Sequence, residues 1–170
     1  MVMRKQVYSL LVENNPGVTS RISGLFSRRG YNIDSFSSGV TADPRYTRIT
    51  IVATGDEQIL DQIKKQLAKL EDVREIKELP PGQSVSRELI LVKVGVTPAE
   101  RQAVISIADI FRAKIVDVAA DSLMIELTGN EAKLAAFIEL LQGYTIKEIA
   151  RTGITGLSRG AGDMGEYIDD

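Results

Sequence analysis

The chain has 170 residues, 44% of them hydrophobic and 26% charged, with 14 Gly and 5 Pro, a composition that can bury a core and is too apolar for a disordered segment. It contains no Cys and no His, which excludes disulfides, thiolate nucleophiles, Cys/His zinc sites and imidazole acid–base catalysis. A net charge of -2 gives no general attraction for nucleic acid or an anionic membrane, no apolar run reaches the roughly 18 residues of a membrane-spanning helix, and residues 1–5 lead into a strand pattern instead of a signal peptide, so a cytoplasmic protein is expected.

Residues 7–13 form a β-type apolar run closed by Asn14-Asn15-Pro16-Gly17, a cluster that stops a strand. Val18, Ile22, Leu25 and Phe26 then share one face of a helix, with Gly30 where a left-handed C-terminal glycine belongs and Arg28-Arg29 complementing the helix dipole. Residues 31–41 read as a polar strand turned by Asp43-Pro44 into the cleaner strand 46–54. Asp56 opens a second helix with Ile59, Ile63, Leu67 and Leu70 on one side, and residues 73–79 return as a strand.

Pro80-Pro81-Gly82-Gln83-Ser84 is a linker signal near the midpoint, and the pattern repeats after it. Strand 87–94 precedes Thr97-Pro98-Ala99-Glu100, a capping box with Pro at the first helical position, and Val104, Ile107, Ala108 and Phe111 mark the buried face of the helix. Strands 115–119 and 123–128 flank the turn Ala120-Asp121-Ser122. Gly129-Asn130 leads a helix with Leu134, Phe137, Ile138 and Leu141, Gly143 ends it, and 144–149 is a strand. Both halves read βαββαβ, so the expected fold class is α+β, two tandem ferredoxin-like modules. The expected boundaries are 1–79 for the first, 80–84 for the linker, 85–155 for the second, and 156–170 for a flexible tail rich in Gly with little to bury. Residues 1–79 carry 12 Lys+Arg against 10 Asp+Glu, a net of +2, and the remainder 9 against 13, a net of -4.

Two segments stand out. In Glu13-Asn14-Asn15-Pro16-Gly17-Val18, Gly17 permits close backbone approach, the amides opening the helix can receive a carboxylate, and Asn14 adds a donor and an acceptor. The same residues also fit an ordinary strand-to-helix turn. In Asn32-Ile33-Asp34-Ser35-Phe36-Ser37-Ser38 only Ile33 and Phe36 are large and apolar; small polar side chains suit a strand that meets another subunit or lines a pocket for a zwitterion, and equally an edge strand with a solvated face. Residues 48–53 lack the stacked aromatics of an RNA-recognition sheet, Gly156-Leu157-Ser158-Arg159-Gly160 lacks the spacing of a phosphate loop, and no pair of carboxylates is nominated for catalysis.

Asn14-Asn15-Pro16-Gly17-Val18, Leu25-Phe26-Ser27-Arg28-Arg29-Gly30-Tyr31-Asn32-Ile33, Ala150-Arg151-Thr152-Gly153-Ile154 and Gly156-Leu157-Ser158-Arg159-Gly160 together resemble the small regulatory subunits of acetohydroxyacid synthase (acetolactate synthase), over almost the whole chain from about Arg4 to Gly160. The resemblance implies that the first module is an ACT domain that dimerises side by side and binds an amino-acid effector at the dimer interface. It implies no active site and no cofactor in this chain, a homodimer or higher oligomer, and a catalytic large subunit as partner that uses thiamine diphosphate, Mg2+ and FAD. That partner would be activated by this chain and made sensitive to feedback inhibition by a branched-chain amino acid, usually valine. Carried over by position, the effector pocket comprises Asn14, Asn15, Gly17 and Val18 of one protomer and Asn32, Ile33, Asp34, Ser35 and Phe36 of the other. Pro16 has no amide proton, so the loop offers one donor fewer. A stand-alone ACT-type amino-acid sensor, or a regulator of another enzyme, is the alternative.

Overall fold

The computed structural model describes residues 2–162, which divide into two units: one built from the chain up to Ser86 together with the segment from Ile154 onward, the other from Arg87–Gly153. The first contains β1 (Arg4–Glu13), α1 (Val18–Arg29), β2 (Ile33–Val40), β3 (Tyr46–Gly55), α2 (Glu57–Ala68) and β4 (Val73–Glu78). Its antiparallel sheet has the order β2-β3-β1-β4. Alternation along the strands sends Tyr8, Leu10 and Val12 of β1 and Ile49, Ile51 and Ala53 of β3 to one face, where they pack with Val18, Ile22, Leu25 and Phe26 of α1 and Leu60, Ile63 and Leu67 of α2. The buried Tyr8 hydroxyl donates to the Leu60 carbonyl at 2.8 Å, and burial pushes its pKa upward.

β5 (Ser84–Gly95) crosses the boundary between the units and is followed by α3 (Pro98–Ile110), β6 (Lys114–Val118), β7 (Ser122–Gly129), α4 (Glu131–Leu141) and β8 (Thr145–Arg151). The second sheet runs β6-β7-β5-β8. Its core joins Ile90, Val92 and Val94 to Leu123, Ile125 and Leu127, under Val104 and Ala108 of α3 and Leu134, Phe137 and Leu141 of α4. Thr97 caps α3 with both bonds of the box in place. The α+β class and the doubled βαββαβ order thus stand as expected.

Several boundaries move. β1 begins three residues earlier than the apolar run and β5 begins at Ser84, because polar residues at a strand end can pair their backbone without contributing to a core. The break between β4 and β5 is therefore 79–83, one residue earlier than the expected linker. β2 is shorter than 31–41: Tyr31 precedes it and sets its ring edge-on to Phe26 at 6.1 Å. Gly30 takes φ 70 as the αL cap of α1, whereas Gly143 follows α4 without a positive φ.

The largest departure is at the end. Thr155–Ser158 form a further strand, β9, paired with β5, so the expected flexible tail over 156–170 is corrected for its first residues; residues 163–170 lie outside those described. The segment buries no large side chain, which hid it in the sequence. It is held by backbone and hydroxyl hydrogen bonds that hydrophobic periodicity does not register.

Candidate functional site

β1 ends at Glu13 against Tyr46 of β3, and the loop that follows is pinned at each residue. The Asn14 backbone amide donates to the Arg45 carbonyl at 2.8 Å and its Nδ2 to the Pro44 carbonyl at 3.0 Å. Asn15 Nδ2 donates to Glu13 Oε2 at 3.1 Å, and Glu13 also pairs with Arg74. Gly17 then takes φ 84, ψ -4 as the N-cap of α1, a left-handed geometry that glycine adopts without a Cβ clash, and no side chain caps the helix. Asn14, Asn15, Pro16 and Gly17 are exposed, while Val18 drops into the core.

Arg21, which sequence reasoning passed over, stands over this opening. Its Nε and Nη2 grip Asp72 at 2.5 and 3.0 Å, Nη2 also reaches the Pro16 carbonyl at 3.5 Å, and a Cβ placed on Gly17 would lie 2.9 Å from Nη1. The hydrogen bond from Arg21 holds the Asp72 carboxyl below its usual range and raises the arginine. Asp72 lies just before β4, so no local pattern around residue 17 could have announced the pair.

The second group of candidates lies on β2, an edge strand, except Asn32, which immediately precedes it. A register shift between Ile33 and Ser35 leaves Asp34 bulged, so that Ile33 and Phe36 both pack against the core and Ser35 faces the other side with Val52. Asn32 and Asp34 are exposed, and Thr54 Oγ1 donates to Asp34. Within one chain the two groups are apart. The loop abuts Tyr46, whereas Ser35 pairs with Val52, six residues or about 20 Å further along β3. One chain thus holds the two candidate groups toward opposite ends of one sheet. Among the described residues no cluster of carboxylates is arranged to hold a metal ion, and no helix is long and apolar enough to cross a membrane.

Comparison with known proteins accounts for both units. Residues 8–75 match the family model described as an AHAS small subunit-like ACT domain, and residues 87–160 the model described as the small subunit of acetolactate synthase. A probable acetolactate synthase small subunit of Methanothermobacter thermautotrophicus is 48% identical over 93% of this chain and 95% of its own length. The acetolactate synthase isozyme 3 small subunit of Escherichia coli is 44% identical over 92% and 96%. The crystal structure of the acetolactate synthase small subunit from Thermotoga maritima superposes with a TM-score of 0.84 at 39% identity, covering 93% of this chain and 99% of that one.

Proposed function

Because this chain belongs to the family of acetolactate synthase small subunits, we propose that it is a regulatory subunit that activates a catalytic large subunit and makes it sensitive to inhibition by valine. The chemistry would reside in the partner, with its thiamine diphosphate, Mg2+ and FAD, and this chain would contribute the effector site and a surface for the catalytic subunit. The observation that carries the effector reading is the start of α1: a left-handed glycine, no side-chain cap, and an arginine alongside. Amides at the first turn of a helix and a guanidinium both favour a carboxylate. Asn14 has engaged its Nδ2 with Pro44, so its carbonyl oxygen is the atom that would meet the effector ammonium.

The separation of the half-sites supports a shared pocket. β2 has a free edge, and two-fold pairing of that edge with a second copy is antiparallel, so the Ile33 end of one β2 lies beside the Val40 end of the other. That is the end where β3 begins and where the loop from Asn14 to Gly17 sits. Asn32, Ile33, Asp34, Ser35 and Phe36 of the second copy thereby come to the same end of the joined sheet as Asn14, Asn15, Gly17 and Val18 of the first. An effector bound there would prefer one arrangement of the dimer, and inhibition would follow from that differential affinity.

The test is Gly17→Asp. Asp is strained at this left-handed position, though less than most residues, and its carboxylate would occupy the anion position and compete with Asp72 for Arg21. Calorimetric titration should detect no valine binding to a folded variant, and light scattering on the wild type should report about twice 18.6 kDa or more. Wild-type affinity for valine in folded Gly17→Asp, or a monomer at all concentrations, would overturn the assignment.

A further inference from the structure

The first sheet carries its helices on one face, and Ser35, Val52, Val7, Ser9 and Lys77 lie on the other. The segment beginning at Ile154 crosses that helix-free face. At one end the Ile154 amide donates to Ser35 Oγ at 2.8 Å on β2; at the other, Lys77 Nζ on β4 donates to Ser158 Oγ at 3.1 Å. β2 and β4 are the two edges of the four-stranded sheet. Three strand spacings amount to about 14 Å, and the four residues from 154 to 158 in extended form reach about 13 Å, so the segment spans the sheet with little slack. At its middle, a Cβ on Gly156 would fall 2.6 Å from Ser86 Oγ, 2.9 Å from the Val85 carbonyl and 3.3 Å from Leu79 Cδ1, so the strand lies closer than any larger residue allows. Arg159 closes it with a backbone bond to the Gln83 carbonyl at 2.8 Å.

We propose that residues 154–158 are a cross-strap that fixes edge strand β2, with Ser35 as its anchor, and thereby sets the response to the effector; this rests on the effector reading given above. An edge strand has ladder hydrogen bonds on one side only, and this one is interrupted by the bulge at Asp34, next to Ser35. The amide of Ile154 bonds the hydroxyl at that interruption. Residues that lie beyond the second unit in sequence thus complete the first, and separating the chain at the linker would remove the support from β2. If valine selects one placement of β2, loosening the strap widens the population of the others and weakens inhibition without touching the surface that activates the catalytic subunit.

The experiment uses the full chain reconstituted with its catalytic subunit. Gly156→Val prevents the strap from seating, and Lys77→Met, a milder change, releases its far end; neither residue belongs to the effector loop or to β2. Gly156→Val should raise the valine concentration for half-inhibition about tenfold and Lys77→Met about threefold, within the range by which substitutions remote from both ligands modulate coupling, while the small-subunit concentration for half-maximal activation stays within about twofold. Amide hydrogen exchange over residues 33–40 should accelerate in both variants, with or without valine. Unchanged exchange there would overturn the strap, as would equal losses of inhibition and activation, which a general loss of stability produces. A wild-type complex indifferent to valine would overturn the effector reading instead, and the exchange measurement would still decide whether the strap holds β2.

Discussion

The two units follow the same order of elements, yet their first helices begin in opposite ways. α3 of the second unit starts with Thr97, whose hydroxyl accepts from the Glu100 amide while the Glu100 carboxylate accepts from Thr97, with Pro98 at the first turn. α2 and α4 are capped by the side chains of Asp56 and Asn130, which accept from the Ile59 and Lys133 amides. α1 alone among these four starts with a left-handed glycine and no side-chain cap. A helix end that satisfies its own amides contributes to stability, and one that leaves them open is placed to receive an anion. The difference teaches where in a duplicated fold to look for a ligand: in the module whose local rules are relaxed.

The comparison can be broken most forcefully at the cores. Phe137, fully buried and edge-on to Phe111 at 5.3 Å, anchors the second unit, and Phe137→Ala should cost about 3 to 5 kcal/mol. Hydrogen exchange should then quicken in β5 and β7 and leave β1 and β3 protected, since their core shares no residue with the second. Simultaneous loss in both would mean that the two cores fold as one.

The caps give the next largest effect. Thr97→Ala should lower the unfolding free energy by about 1 kcal/mol in a urea titration and leave the valine response alone. Gly17→Ala should cost a similar amount, about 1 to 2 kcal/mol, because φ 84 suits no Cβ, and should also weaken valine binding by calorimetry. Equal effects of the two on valine would remove the functional distinction between the helix starts.

A smaller contrast lies at the helix exits. The turn from α1 to β2 uses Gly30 at φ 70, while the matching turn from α3 to β6 uses Arg112 at φ 56. Arg112→Gly should stabilise the second unit by about 0.5 kcal/mol, relief of left-handed strain being partly offset by the entropy glycine adds to the unfolded chain, and its thermal midpoint should rise slightly.

The smallest effect concerns acid. Hydrogen bonds from Arg21, Arg45 and Arg4 hold the carboxyls of Asp72, Asp43 and Glu57 in the first unit below their ordinary values, and Lys93 does the same for Glu148 in the second. A lowered folded pKa contributes stability that is present above the unfolded value and is lost as pH falls through the folded one. Glu57 and Glu148 are exposed, Asp43 and Asp72 half-buried beside exposed arginines, so each contribution is slight. Followed by hydrogen exchange, the first unit should loosen before the second as pH drops below about 4.

Much of this was legible in the residues themselves. Val18, Ile22, Leu25 and Phe26 form the buried face of α1 at the spacing that predicts it, and Thr97 to Glu100 make the box their types announce. Asn14 and Gly17 mark a special turn because strand, turn and helix follow each other within ten residues. Arg21 and Asp72 are 51 residues apart, and Ser35 and Ile154 are 119 apart; nothing in either neighbourhood signals the other. The polar strand 32–38 kept two readings open because a bulge moves Phe36 to the core face, and a bulge leaves no periodic trace.

By itself the sequence determined what depends on neighbours along the chain: the doubled βαββαβ order, the helix faces, the caps and the unusual turn at Gly17, since period and capping act over one to four residues. Only the tertiary structure decided what depends on distant segments. It placed β2 at an edge, set the two candidate groups toward opposite ends of the sheet, brought Arg21 and Asp72 together beside the start of α1, and returned residues 154–158 to the first unit. Those contacts are made by polar groups, backbone amides with Arg, Asp, Ser and Lys side chains, that leave no periodic trace, so they acquire meaning only when the fold brings the partners within about 3 Å.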